Sequence, residues 1–129
     1  LLPLLDIPGI NLASLQSGLG REQLLKLSFG PLDLGDESDP AIGSGFEGTA
    51  AIVANLDLVV SLDSSVAHLA GALGKPQWLL LPFVPDWRWQ MTGETSPWYP
   101  KARLFRQQTH GDWASAVAAV VDRLKESYV

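Results

Sequence analysis

The sequence predicts an α/β domain, a parallel sheet flanked by helices, and three adjacent segments carry that prediction. Residues 56–63 (Leu-Asp-Leu-Val-Val-Ser-Leu-Asp) form a near-continuous, β-branched apolar run, the pattern of a parallel strand covered on both faces. Directly after it, Val66, Leu69, Ala70 and Leu73 fall at i, i+3, i+4 and i+7, with Ser64 or Ser65 placed to cap the start and Gly74 with Pro76 to end it, which defines a helix with both ends marked. Residues 77–81 form a second buried-type strand closed by Pro82. Strand, helix and strand make a βαβ unit, whose crossover is right-handed in nearly all proteins.

The remaining elements follow in chain order. Leu1-Leu2-Pro3-Leu4-Leu5 reads as the middle of an element, so the chain is expected to be a fragment of a larger protein. Residues 10–16 lean to strand after Pro8-Gly9 and end in a turn marked by Gly18 and Gly20. Residues 21–27 predict a short helix. Residues 31–48 hold Asp33, Asp36, Glu37, Asp39 and Pro40 among glycines and serines, a composition that predicts loop. Thr49 is placed to cap a short alanine-rich helix ending near Asn55. Residues 83–100 set Trp87, Trp89, Trp98 and Tyr99 among three prolines, too irregular for a long element and too aromatic for a linker, and predict a structured loop. Residues 101–107 predict a last strand. Asp112 is placed to cap a final helix whose apolar residues Trp113, Ala116, Val117, Val120, Val121 and Leu124 keep helical spacing. Residues 1–129 are expected to form one domain.

The composition excludes several classes. The 129 residues are 47% hydrophobic, enough to bury one sizeable core. With 18% charged residues, a net charge of −5 and no basic run, the chain lacks the footprint that a nucleic-acid backbone requires. No apolar run reaches the roughly 18 residues of a membrane span. The absence of cysteine rules out disulfides and thiolate metal sites and fits a reducing compartment; a cytoplasmic location is the expectation. Two histidines give a histidine-based metal site little to draw on, so no metal or cofactor is expected.

In open parallel sheets ligands bind beyond the carboxyl ends of the strands, which directs attention to Asp63-Ser64-Ser65-Val66-Ala67-His68. The first amides of a helix have no intrahelical partner and sit at the positive end of its dipole, so they suit a phosphate oxygen. Ser64 and Ser65 add hydroxyls. His68, one turn in, is close enough to bond a second phosphate oxygen or to be held by Asp63, and as an imidazolium it favours a diphosphate. Asp-Ser-Ser is also a common capping pattern and His68 fits a structural role as well, so spacing alone leaves both readings open. Residues 43–48 match G-x-G-x-x-G, yet they follow an acidic loop instead of a strand and are rejected as a dinucleotide fingerprint. There is no G-x-S-x-G elbow and no P-loop. Arg88 lies between Trp87 and Trp89, a grouping suited to pairing with phosphate or stacking on a base or sugar, or to closing the edge of the domain.

Residues 57–76, Asp-Leu-Val-Val-Ser-Leu-Asp-Ser-Ser-Val-Ala-His-Leu-Ala-Gly-Ala-Leu-Gly-Lys-Pro, resemble the signature of the heptosyltransferase-like glycosyltransferases of family 9, in which an Asp-Thr/Ser turn and a His open the donor-binding helix. Pro85-Asp86-Trp87-Arg88-Trp89, Ser96-Pro97-Trp98-Tyr99-Pro100, Leu104-Phe105-Arg106-Gln107 and Gly111-Asp112-Trp113 resemble, more particularly, bacterial tetratricopeptide-repeat proteins that carry such a domain at their C-terminus. The resemblance implies the C-terminal half of a GT-B fold, two Rossmann-like domains facing across a cleft. It implies a nucleoside-diphosphate sugar as donor, with Asp63, Ser64, Ser65 and His68 at the diphosphate and Gln16, Ser17 and Gly18 bordering the nucleotide, where Arg88, by its own chemistry, is a further candidate. It also implies that catalytic groups and the acceptor site lie in an N-terminal Rossmann domain outside this chain, together with this domain's own first strand, so that the isolated chain is not expected to turn over. The alternative expectation is a non-catalytic interaction module that keeps the fold and docks a partner on Trp87, Trp89 and Trp98.

Overall fold

The computed structural model describes residues 1–28, 30–35 and 45–129. Eight regular elements run along it: β1 (Ala13–Ser14), β2 (Leu32–Asp33), α1 (Phe46–Asn55), β3 (Val59–Leu62), α2 (Ser65–Ala72), β4 (Gln77–Leu81), β5 (Ala102–Arg106) and α3 (Trp113–Tyr128), with single 3-10 segments at Leu2–Asp6, Arg21–Lys26 and Trp87–Trp89. Every strand pair is parallel. β3, β4 and β5 form one sheet in that order and β1 pairs with β2 in another.

β4 is the central strand of the larger sheet, and all five of its residues are buried, which is why it reads as an unbroken run in place of an alternation. Its two faces pack on different partners. Trp78 and Leu80 join Phe105, the α3 residues Ala116, Val120 and Leu124, and Leu4 and Ile7 from the first segment. Leu79 and Leu81 join Ala67 of α2, Leu104 and Trp89. A third cluster of Val53, Val59 and Ala70 ties α1 to α2 and β3. The α/β reading, parallel strands flanked by helices on both faces, is thus the observed architecture, as a Rossmann-like domain requires.

Several boundaries differ from expectation. The strand expected over 10–16 reduces to Ala13–Ser14, because its one partner, β2, has only two residues. β2 lies inside the stretch expected to be loop: Leu32 donates its amide to Leu12 and Leu34 to Ser14. Residues 36–44 of that stretch lie outside the described residues, Gly43 and Ser44 of the rejected glycine pattern among them, and its end, Phe46 to Gly48, is the first turn of α1 instead of loop. The short helix expected over 21–27 is a 3-10 segment at Arg21–Lys26. Thr49 does not cap α1. The helix begins at Phe46 after Gly45, whose φ of +76° suits glycine, and the Thr49 hydroxyl lies inside it, donating back to the Gly45 carbonyl at 3.4 Å. The strand expected over 56–63 narrows to Val59–Leu62. Asp112 does cap α3, accepting the Ser115 amide at 3.0 Å.

Candidate functional site

The turn from β3 into α2 is built by two serines. Ser64 has an extended backbone and its hydroxyl accepts the Ala67 amide at 3.3 Å, the bond that an N-cap makes. The Ser61 hydroxyl, 2.9 Å from that of Ser64, donates to the Leu62 carbonyl at 2.8 Å and steadies the cap from the end of β3. His68 opens the helical ladder by donating its amide to the Ser64 carbonyl. Ser65 and Val66 are therefore the amides at the helix start with no intrahelical acceptor, and they lie at the positive end of its dipole. The Ser65 side chain is exposed beside them.

His68 sits one turn in, half-buried, and the structure surrounds it. Its Nε2 lies 3.4 Å from Oδ1 of Asp63, and its Nδ1 is 2.8 Å from the Tyr99 hydroxyl. The imidazole stacks on the buried Trp89 with centroids 5.4 Å apart, and Tyr99 meets it edge-on. The contacts thus show a histidine held on both ring nitrogens, one turn into α2. Tyr99 was missed from the sequence because 31 residues separate it from His68. The available signal was Gly71, mid-helix, where a side chain's first carbon would lie 2.5 Å from Cγ of Tyr99.

The loop after β4 reaches this turn through Trp89, which stacks on His68. Asp86 accepts both the backbone amide of Arg88 and its guanidinium, at 3.0 and 2.8 Å. These bonds, the backbone one foremost, hold the Asp86 carboxyl below the ordinary carboxylate value, and the charge of His68 adds to the effect. Arg88 also lies over the Trp87 ring, 5.1 Å from its centroid. The three indoles separate: Trp89 is fully buried, whereas Trp87 and Trp98 are 70% and 57% exposed and meet edge to face. A docking surface on this loop would therefore use Trp87 and Trp98 without Trp89.

Arg106, the last residue of β5, pins the loop by donating to the carbonyls of Trp89, Gln90, Thr92 and Gly93. Partial burial lowers its pKa from the usual guanidinium value.

The turn after β1 is closed by Gln16, whose side-chain amide donates to the carbonyls of Ser17 and Leu19. Gly35 packs so closely that a side chain there would overlap the Gln16 backbone. Leu15, just before this turn, packs on the cluster of Val53, Val59 and Ala70, as does Val66 in the first turn of α2. Among the described residues there is no group of three His, Asp or Glu side chains placed to hold a metal, and no helix is long and apolar enough to cross a membrane.

Protein FlbA of Caulobacter vibrioides is 30% identical over 128 residues, which is 96% of this chain and 21% of that protein; the chain thus spans about a fifth of the length of this curated relative. No solved structure matches. The family model for glycosyltransferase family 9 (heptosyltransferase) matches residues 44–111, more than half of the chain, from just before α1 through the β3–α2 turn and the aromatic loop to the residue before the cap of α3, and the chain belongs to that family.

Proposed function

We propose that this chain is the donor-binding domain of a glycosyltransferase that uses a nucleoside-diphosphate sugar, with the diphosphate held at the start of α2. The observation that carries the reading is that α2 starts directly beyond β3 with the Ser65 and Val66 amides lacking an intrahelical acceptor, an exposed Ser65 beside them and the His68 ring one turn on. Negative charge grows on the leaving nucleoside diphosphate as the glycosidic bond breaks, and fixed helix amides with an adjacent imidazole stabilise charge at that place without a metal. Asp63 acts through His68, since a carboxylate repels a diphosphate directly. Gln16, Ser17, Gly18 and Arg88 border the nucleotide. An N-terminal Rossmann domain of the parent protein supplies the acceptor site and the general base, and tetratricopeptide repeats precede it; the much greater length of FlbA leaves room for both. The reaction takes place in the cytoplasm, where nucleotide sugars are made.

Calorimetric titration of UDP, GDP and ADP tests the reading. At least one is expected to bind, and Ser65→Ala combined with His68→Ala is expected to abolish the heat. Absence of binding to the intact parent protein, or binding untouched by the double substitution, sinks it.

The exposed, edge-packed Trp87 and Trp98 favour a second reading, a non-catalytic module that docks a partner there. The two separate cleanly: Trp87→Ala with Trp98→Ala abolishes partner capture under that reading, while nucleotide titrations stay silent.

A further inference from the structure

We infer that Tyr99 is a positioning residue that, opposite the Asp63 carboxylate, holds the His68 ring in its Nε2–H form, and therefore sets which edge of the ring can donate at the β3–α2 turn. The phenol oxygen is 2.8 Å from Nδ1, and the Asp63 carboxylate is 3.4 Å from Nε2. A carboxylate only accepts, so in the neutral ring the proton belongs on Nε2; Nδ1 is then the acceptor and the Tyr99 hydroxyl donates to it. At 3.4 Å, Asp63 stands beyond the usual N–H···O length of about 2.7–3.2 Å, so Nε2–H keeps its capacity for a further acceptor, whereas Nδ1 has none to spare.

Tyr99 is itself fixed on several sides. Gly71 makes room for its ring against α2. The Ser96 hydroxyl accepts the amides of Trp98 and Tyr99 at 3.2 and 3.3 Å. The Tyr99 carbonyl accepts the Ala102 amide at 2.9 Å, locking the residue to the start of β5. Trp89 lies against both rings. The phenol thus reaches Nδ1 from a rigid frame, so the imidazole cannot turn over without losing that bond, and moving its proton to Nδ1 would reverse the bond and set the Nε2 lone pair against the Asp63 carboxylate. The consequence for the ligand rests on the donor reading above: an anionic oxygen at the helix start meets Nε2–H.

The test is two-bond proton–nitrogen NMR of the imidazole in the full chain, at a pH where the ring is neutral, beside titrations with UDP, GDP and ADP. The wild type is expected to show the Nε2–H tautomer alone. Tyr99→Phe keeps the aromatic packing and removes the hydroxyl; it is expected to show both tautomers and to weaken nucleotide binding about five-fold, the worth of one neutral hydrogen bond. A wild-type ring protonated on Nδ1, or a Tyr99→Phe spectrum with the tautomer unchanged, overturns the assignment. The wild-type spectrum has that power alone, so a variant that fails to fold does not shelter the proposal. A wild type that binds none of the three nucleotides defeats the donor reading instead, and the spectra still decide the role of Tyr99.

Discussion

Gly71 and Tyr99 compete for one volume: a first side-chain carbon at position 71 would lie 2.5 Å from Cγ of the Tyr99 ring, far inside contact distance. Gly71→Ala raises helix propensity by about 1 kcal/mol, yet the clash outweighs that gain. The variant is expected to lose about 1–3 kcal/mol, as overpacking does, when unfolded in urea. Its His68 ring signals should move as Tyr99 is pushed aside. A stabilised variant would mean that Tyr99 yields freely.

Capping and ligand binding at the start of α2 belong to different serines. Ser64→Ala removes the acceptor for the Ala67 amide and is expected to cost about 1 kcal/mol of stability. Ser65→Ala touches an exposed hydroxyl and should leave the urea midpoint in place while lowering nucleotide affinity. Equal stability losses in the two variants would contradict the assignment.

Arg106→Lys tests the anchor of the aromatic loop. A single ammonium cannot reach the four carbonyls that the guanidinium spans, and a loss of about 2–3 kcal/mol is expected, between one and two charge-assisted bonds. Hydrogen exchange should quicken at residues 87–93 first, because the amides there depend on the held turn. Uniform quickening across the sheet would point to a different cause.

Acid should act on α3 through its cap. The bonds from Ser115, side-chain and backbone, lower the Asp112 pKa from 3.8. A carboxyl whose folded pKa is depressed contributes stability that is complete above its unfolded value and fades as the pH falls through the folded one. Stability measured between about pH 5 and pH 2 should therefore fall less steeply in Asp112→Asn, which still caps but does not titrate in this range. An unchanged slope would remove Asp112 from the account.

How far the sequence announces the molecule depends on whether the cause is local. Residues 64–81 announce themselves because each signal acts nearby: Ser64 caps three residues on, the apolar spacing of α2 is helical, and β4, buried on both faces, has no polar position to break its run. β2 escaped notice because a two-residue strand among Asp33, Gly35 and Pro31 has no period to detect; its formation depends on β1, some twenty residues back. Thr49 was misplaced as a cap because Gly45, with a positive φ and no side chain, starts the helix one turn sooner. At the site, Asp63, Ser64 and His68 share a turn and were readable together, whereas Tyr99 reaches His68 only through the fold. The loop tryptophans look alike in sequence, and only packing against Leu79, Leu81 and Leu104 singles out Trp89 as core.

The guanidinium of Arg106 grips peptide oxygens, which every amino acid possesses, and ignores what projects from them. Gln90 and Thr92 can thus exchange side chains without loosening the grip, provided the chain keeps its length, position 90 tolerates its φ of +58° and position 93 stays glycine for its φ of +90°. The loop is an exchangeable surface on a fixed mount, so that what it presents can be retuned while Trp89 and His68 stay where they are.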